Sequence, residues 1–100
     1  MRPSNEYRVW TMIDVIGLKR LGDYRLEIAF SDGSCGVRDF GDIVAREGEM
    51  VCPLRNPDYF GRVFIEDGAL TWPNGYDMDS IALHQEMKKA GVLHRSDAAE

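Results

Sequence analysis

The sequence predicts a small α+β domain: an antiparallel sheet of two hairpins plus an N-terminal strand, with one short and one longer helix packed on one face. Three observations carry this. Asp32-Gly33 and Asp67-Gly68 each lie between runs of alternating apolar residues, the signature of β-hairpins. One segment near the end, from Asp79 to Gly91, has helical spacing and a capping residue at both ends. One hundred residues, 44% of them hydrophobic, supply one core and not two. Residues 1–91 are therefore expected to form a single domain and residues 92–100 a disordered tail.

Residues 1–7 are polar. From Arg8 to about Leu18, Val9, Trp10, Thr11, Ile13, Val15 and Ile16 favour a strand. Its facing is ambiguous, with Val9, Ile13 and Val15 on one side and Trp10, Met12 and Ile16 on the other, so the strand is either central or bulged. Leu21-Gly22-Asp23 then turns the chain. Tyr24, Leu26, Ile28 and Phe30 alternate with polar or small residues as in a half-buried strand. A two-residue type I′ turn at Asp32-Gly33 would place Phe30 opposite Cys35, Ile28 opposite Val37 and Glu27 opposite Arg38. Phe40, Ile43 and Val44 are spaced for a helical turn, and residues 47–55 read mainly as loop. Asn56-Pro57-Asp58 reads as a helix start, with an N-cap, a proline in the first turn and an acid beside it. In the second hairpin Ile65 faces Leu70 and Val63 faces Trp72. Pro73 ends that ladder, Asn74-Gly75 turns, and Asp79 caps a last helix whose inward residues are Leu83, Met87 and Ala90, flanked by Ile81.

Charge narrows the function. The formal net charge is −5; residues 1–46 hold seven Lys/Arg and seven Asp/Glu, whereas residues 47–100 hold five against ten. The second half is thus poorly suited to phosphate contacts, and nucleic acid is not an expected partner. Two cysteines, Cys35 and Cys52, are too few for a disulfide framework. The N-terminus lacks a signal-peptide apolar stretch, and no stretch is long and apolar enough for a membrane span. A cytoplasmic protein with free thiols is expected.

Several stretches together suggest a family. Phe30-Ser31-Asp32-Gly33, Asp39, Pro53-Leu54-Arg55-Asn56-Pro57, Phe60 and Trp72-Pro73-Asn74-Gly75-Tyr76-Asp77 occur in an order that resembles the bacterial domain of unknown function 2442 family. The resemblance spans residues 8–83. It implies an antiparallel sheet with helices against one face and no established activity. It also implies members often encoded beside a second small protein of unknown function, some of them described as toxin–antitoxin components. In others the domain precedes a helix-turn-helix domain, which suggests a regulatory role. Only one good helix follows residue 79 here, which leaves no room for such a DNA-reading module. Ser80 stands where the family often has proline, which is harmless at a first helical position.

The candidate interaction or motif residues are Arg55, Trp72, Asn74, Asp77 and Asp79. Trp72 fits the core better than a binding platform. Asn74, Asp77 and Asp79 carry oxygen ligands, but their spacing is not that of a calcium loop, and turn and cap duties account for them. Arg55 could reach a partner's carboxylate or phosphate, or pair internally with Asp39 or Asp77. His84 and His94 sit in no recognisable motif, Cys35 is expected in the core, and Cys52 is the more accessible thiol. No catalytic residue, cofactor or metal is assigned, and enzyme activity is not expected. The leading expectation is a protein-interaction or regulatory module working with a small protein partner or as a homo-oligomer. The alternatives are a DNA-associated regulator using Arg2, Arg8, Lys19, Arg20 and Arg25, or a small-ligand or metal-dependent enzyme using Asp77, Asp79 or His84.

Overall fold

Both Asp-Gly hairpins form, but they close differently, and the difference decides which side chains reach the core. The computed structural model describes residues 13–95. In chain order the strands are β1 (Val15–Gly22), β2 (Arg25–Phe30), β3 (Ser34–Asp39), β4 (Phe64–Glu66), β5 (Ala69–Thr71), β6 (Asp77–Met78) and β7 (His94–Arg95). The helices are α1 (Gly41–Val44), α2 (Pro57–Phe60) and α3 (Ser80–Lys89), with a 3₁₀ turn at Cys52–Arg55. This is a small α+β fold. The strands make two antiparallel sheets rather than one, ordered β1-β2-β3-β7 and β4-β5-β6. The sheets meet where the Val15 amide donates to the Gly68 carbonyl at 2.8 Å.

The second hairpin follows the sequence expectation. Asp67 (φ 54°) and Gly68 (φ 78°) are both left-handed, as a type I′ turn requires, and Ile65 pairs with Leu70. In the first hairpin only Gly33 (φ 91°) is left-handed, and its amide closes a turn onto the Phe30 carbonyl. The loop holds three residues, Ser31 to Gly33, as in a turn followed by a glycine bulge. The extra residue slips the register by one. Ile28 pairs with Gly36, Glu27 with Val37, Leu26 with Arg38 and Ala29 with Cys35. The expected pairings of Phe30 with Cys35, Ile28 with Val37 and Glu27 with Arg38 are therefore corrected. Since side chains alternate faces, this slip turns Arg38 inward and Val37 outward.

The N-terminal strand starts later than expected and runs further, to Gly22; residues 8–12, with Val9, Trp10 and Met12, lie outside the described residues, as do residues 1–7. The facing ambiguity resolves as a bulge. The register shifts between Val15 and Gly17, leaving Ile13 and Val15 buried and Ile16 64% exposed.

Leu26, Ile28 and Phe30 from β2 meet Leu83 and Met87 of α3 and Leu70 and Trp72 from the second hairpin in one buried cluster. Asp79 caps α3 by accepting from the Ile81 amide, and Ser80 donates its hydroxyl to the Ile13 carbonyl at 2.6 Å. The inward stripe of α3 is Leu83, His84 and Met87; Ala90, expected inside, is exposed. Beyond α3, the Gly91 amide bonds to Lys88 and the Val92 amide to Met87, a Schellman ending. The chain then doubles back. Where a tail was expected, Leu93 packs on the core and β7 pairs with Ser34 and Cys35 of β3; residues 96–100 lie outside the described residues.

This return path needs a bare backbone beneath it. A Cβ on Gly36 would overlap the Val92 carbonyl oxygen, whereas one on Gly17 would meet Ala29 at 3.6 Å, an ordinary contact. Gly36→Ala is expected to cost about 1–3 kcal/mol, the range for overpacking. Gly17→Ala should be neutral or stabilise by a fraction of about 1 kcal/mol. Urea denaturation of the two variants beside wild type checks the pair, and equal stabilities would refute the packing account.

Candidate functional site

The stretch Trp72 to Asp79 is a small hairpin in which Trp72, Asn74 and Asp79 bond to the protein's own backbone. The Trp72 amide donates to Tyr76 and the Gly75 amide to Trp72, both at 2.8 Å, which folds Pro73 to Gly75 into a loop and lets β6 pair with β5. The sequence showed only a turn there, because a two-residue strand leaves no periodic signal. Trp72 is fully buried, and its indole N–H donates to the Phe60 carbonyl at 2.9 Å. Asn74 donates to the Met50 carbonyl at 3.0 Å and accepts from the Tyr76 amide at 3.2 Å, tying the loop to residues 47–55. Asp79 is engaged as the α3 cap. Asp77 is exposed on β6 opposite Thr71.

Arg55 pairs with neither Asp39 nor Asp77. Its guanidinium instead donates to the carbonyls of Val44 at 2.8 Å and Arg46 at 2.7 Å, satisfying the open end of α1. Its own carbonyl accepts from the Tyr24 hydroxyl. The internal carboxylate weighed as a partner for Arg55 is replaced by a backbone-capping role.

The slip in β3 builds a feature that hydropathy could not reveal. The Arg38 side chain, 10% exposed, passes 4.6 Å above the Phe40 ring and bridges Asp42, at 3.0 Å, to Glu86 on α3. Burial works against the Arg38 charge, but Asp42 and then Glu86 outweigh it, and its pKa lies above the ordinary value. Arg38 holds the Asp42 carboxyl below its ordinary 3.8 against the opposing effect of partial burial. Beside this bridge lies a groove of about 270 Å³ between β3 and the end of α3, with Val37, Val92, Met87 and Ala90 among its walls and Asp39, Asp42 and Glu86 at its rim.

The family model described as "Protein of unknown function (DUF2442)" matches residues 15–88. The chain belongs to this family. The DUF2442 match runs from the first residue of β1 into the last turn of α3 and includes the Trp72–Asp79 hairpin, the Arg55 cap and the Arg38 bridge. Neither a curated protein nor a solved structure matches the chain.

The second polar cluster of this DUF2442 chain lies on the opposite side of α3's inward stripe. The His84 ring stacks edge-on against Phe30 and its Nε2 lies 2.8 Å from Asp32; that carboxylate also accepts from the Ser34 hydroxyl at 2.6 Å and the Ser34 amide at 3.0 Å. Burial pushes the Asp32 carboxyl up, but the two Ser34 bonds and His84 outweigh it and hold it below 3.8. The order is serine to aspartate to histidine, so the imidazole cannot take the Ser34 proton as a nucleophile's base would. Among the described residues no three His, Cys, Asp or Glu side chains gather as metal ligands. Asn74 and Asp79 have separate hydrogen-bond partners, and Asp77 lies exposed on β6. Cys35 is buried, but on the sheet face away from the main core: its sulfur lies 3.8–3.9 Å from the ring nitrogens of His94. Cys52 is exposed at the start of the 3₁₀ turn. Of the basic residues of the first half, Lys19 lies opposite Glu27 and Arg20 donates to the Gly61 carbonyl, while Arg2 and Arg8 lie outside the described residues.

Two stability outcomes follow from this geometry. Trp72→Ala is expected to cost about 3–5 kcal/mol, and Trp72→Phe about 1–3 kcal/mol because the Phe60 carbonyl loses its donor; denaturant midpoints measure both. Asp32 and Asp42 have depressed pKa values in the fold, so their contribution is present above the unfolded-state value and fades as pH falls below 3.8. Wild type should therefore exceed Asp42→Asn in stability at neutral pH, and the two should converge in acid. A gap that stayed constant in urea titrations down the pH scale would contradict the Arg38 bridge.

Proposed function

We propose that this DUF2442 protein is a protein-interaction module that holds a short segment of a small partner protein in the groove between β3 and α3. The observation that carries the reading is the pairing of apolar walls with an acidic rim. Val37 and Val92 are 40% and 37% exposed at the mouth of the groove, with buried Met87 between the two elements. Around them stand three carboxylates, Asp39, Asp42 and Glu86, against the single guanidinium of Arg38. An apolar centre with a charged rim is how protein interfaces are built, and the surplus of acid favours a segment with an apolar side chain beside Lys or Arg. Such a module suits the antitoxin-like half of a two-protein system, with the second small protein supplying that segment. The edges formed by β6 and β7 support the reading less, since these outer strands have only two residues each.

Affinity purification of the tagged protein from its native host, run beside Val37→Arg, tests this. The substitution is on the exposed face of β3 and should alter stability by no more than about 0.5 kcal/mol. A stoichiometric small protein captured by wild type and lost from Val37→Arg is the expected result. Equal capture by both, or capture by neither, would remove the groove from consideration.

A further inference from the structure

The cleft on the other side of α3 shares no residue with the groove and is lined by bases. It is about 350 Å³ in volume and is walled by Asp32, Ser34, His84, Lys88, Leu93, His94 and Arg95. His84 and Lys88 stand one turn apart on α3, and His94 and Arg95 are supplied by β7, which the Schellman turn brings back across the sheet. Both histidines of the chain are therefore here, with two of the five Lys/Arg that residues 47–100 contain. In a half-chain with twice as many acids as bases, that concentration runs against the composition.

The single carboxylate in the cleft is already occupied. Asp32 accepts from the Ser34 hydroxyl, the Ser34 amide and His84, and it forms no ion pair with Lys88 or Arg95. Lys88 and Arg95 have no carboxylate partner among the described residues. The Arg95 guanidinium lies over the Gly33 turn, the position from which it overlooks the cleft. We propose that this cleft binds a small phosphate monoester, with Lys88 and Arg95 around the phosphate and Leu93 against the ester's organic part. A planar guanidinium and an ammonium on one anion make the charge-assisted bonds that phosphate recognition uses. The volume is at the lower end of small-molecule sites, which fits a metabolite-sized ligand. Lys88 also stands near the carbonyl end of α3, where a cation is favourable without any ligand, so the test must separate the two roles.

Glycerol 3-phosphate and inorganic phosphate are titrated separately into the protein at fixed ionic strength and pH, while the ring signals of His84 and His94 and the backbone amide of Leu93 are followed by NMR. The expected result is saturable movement of these signals, with the monoester binding more tightly than inorganic phosphate. Arg95→Gln and Lys88→Gln should each weaken binding about tenfold, the loss of one charge-assisted hydrogen bond. Both are exposed substitutions, and their amide spectra report whether the fold is kept. Absence of saturable shifts for either probe, or affinities that neither variant changes, would overturn the site and leave Lys88 as a helix-end charge. Equal affinity for the two probes would overturn the monoester assignment.

Discussion

The indole of Trp72 has to be buried and hydrogen-bonded at once, and most of the molecule is arranged to allow both. A tryptophan ring contributes a large apolar area, but its N–H is costly to bury without an acceptor. The acceptor is the Phe60 carbonyl at the end of α2, so the second sheet can reach the core only if that short helix is in place. Asn56 accepts from the Asp58 amide to start the helix, and Arg55, one residue earlier, holds the end of α1. The Phe60 ring then lies 5.3–5.8 Å from Tyr24, Phe40 and Trp72, and the Tyr76 ring lies tilted 5.8 Å from Trp72. Through this chain of rings the β2 end of one sheet is joined to the hairpin of the other. The Trp-Pro-Asn-Gly motif and the Pro-Leu-Arg-Asn-Pro motif are thus two halves of one structural device. Their polar groups are largely consumed inside the protein, which moves the search for function away from them.

The groove proposed as an interaction surface arises instead from a single extra residue in the first hairpin. A two-residue turn would have put Val37 inside and Arg38 outside. The three-residue loop reverses them, because side chains alternate on a strand and a one-residue slip exchanges the faces. The buried guanidinium then needs carboxylates, and it draws Asp42 and Glu86 from opposite sides into a bridge that bounds the groove. The displaced Val37 becomes one wall. Asp32 shows why this turn differs from Asp67-Gly68: its carboxylate is held by Ser34 and His84, and its backbone stays out of the left-handed region that a type I′ turn demands.

The end of α3 organises both candidate surfaces. The Schellman turn sends Val92 over Gly36, where it helps line the acidic groove, and then carries His94 and Arg95 to the basic cleft. The two surfaces are therefore separate in their residues and opposite in charge, yet both depend on the same return of the chain. An acidic apolar groove suits a peptide segment, and a basic cleft suits a small anion; they describe a module that could contact two chemically different partners.

The sequence alone determined the local structure well. The Asp67-Gly68 turn, the Asn56 and Asp79 caps, the alternation in β2 and the spacing in α3 are short-range signals, and each states its own preference. The ordered motifs also marked the family. What depends on distant partners the sequence leaves open, as with the bulge after Val15, or misplaces, as with the register of β3, the splitting of the strands into two sheets and the pairing of residues 94–95. Arg38 read as a surface residue because a polar side chain is buried only where another element brings it a partner. Arg55 read as an ion-pair candidate because nothing local reveals that the carbonyls at the end of α1 need a donor. Trp72 could be placed in the core from its neighbours on one strand face; the acceptor that makes its burial affordable is twelve residues away, and only the tertiary structure supplies it.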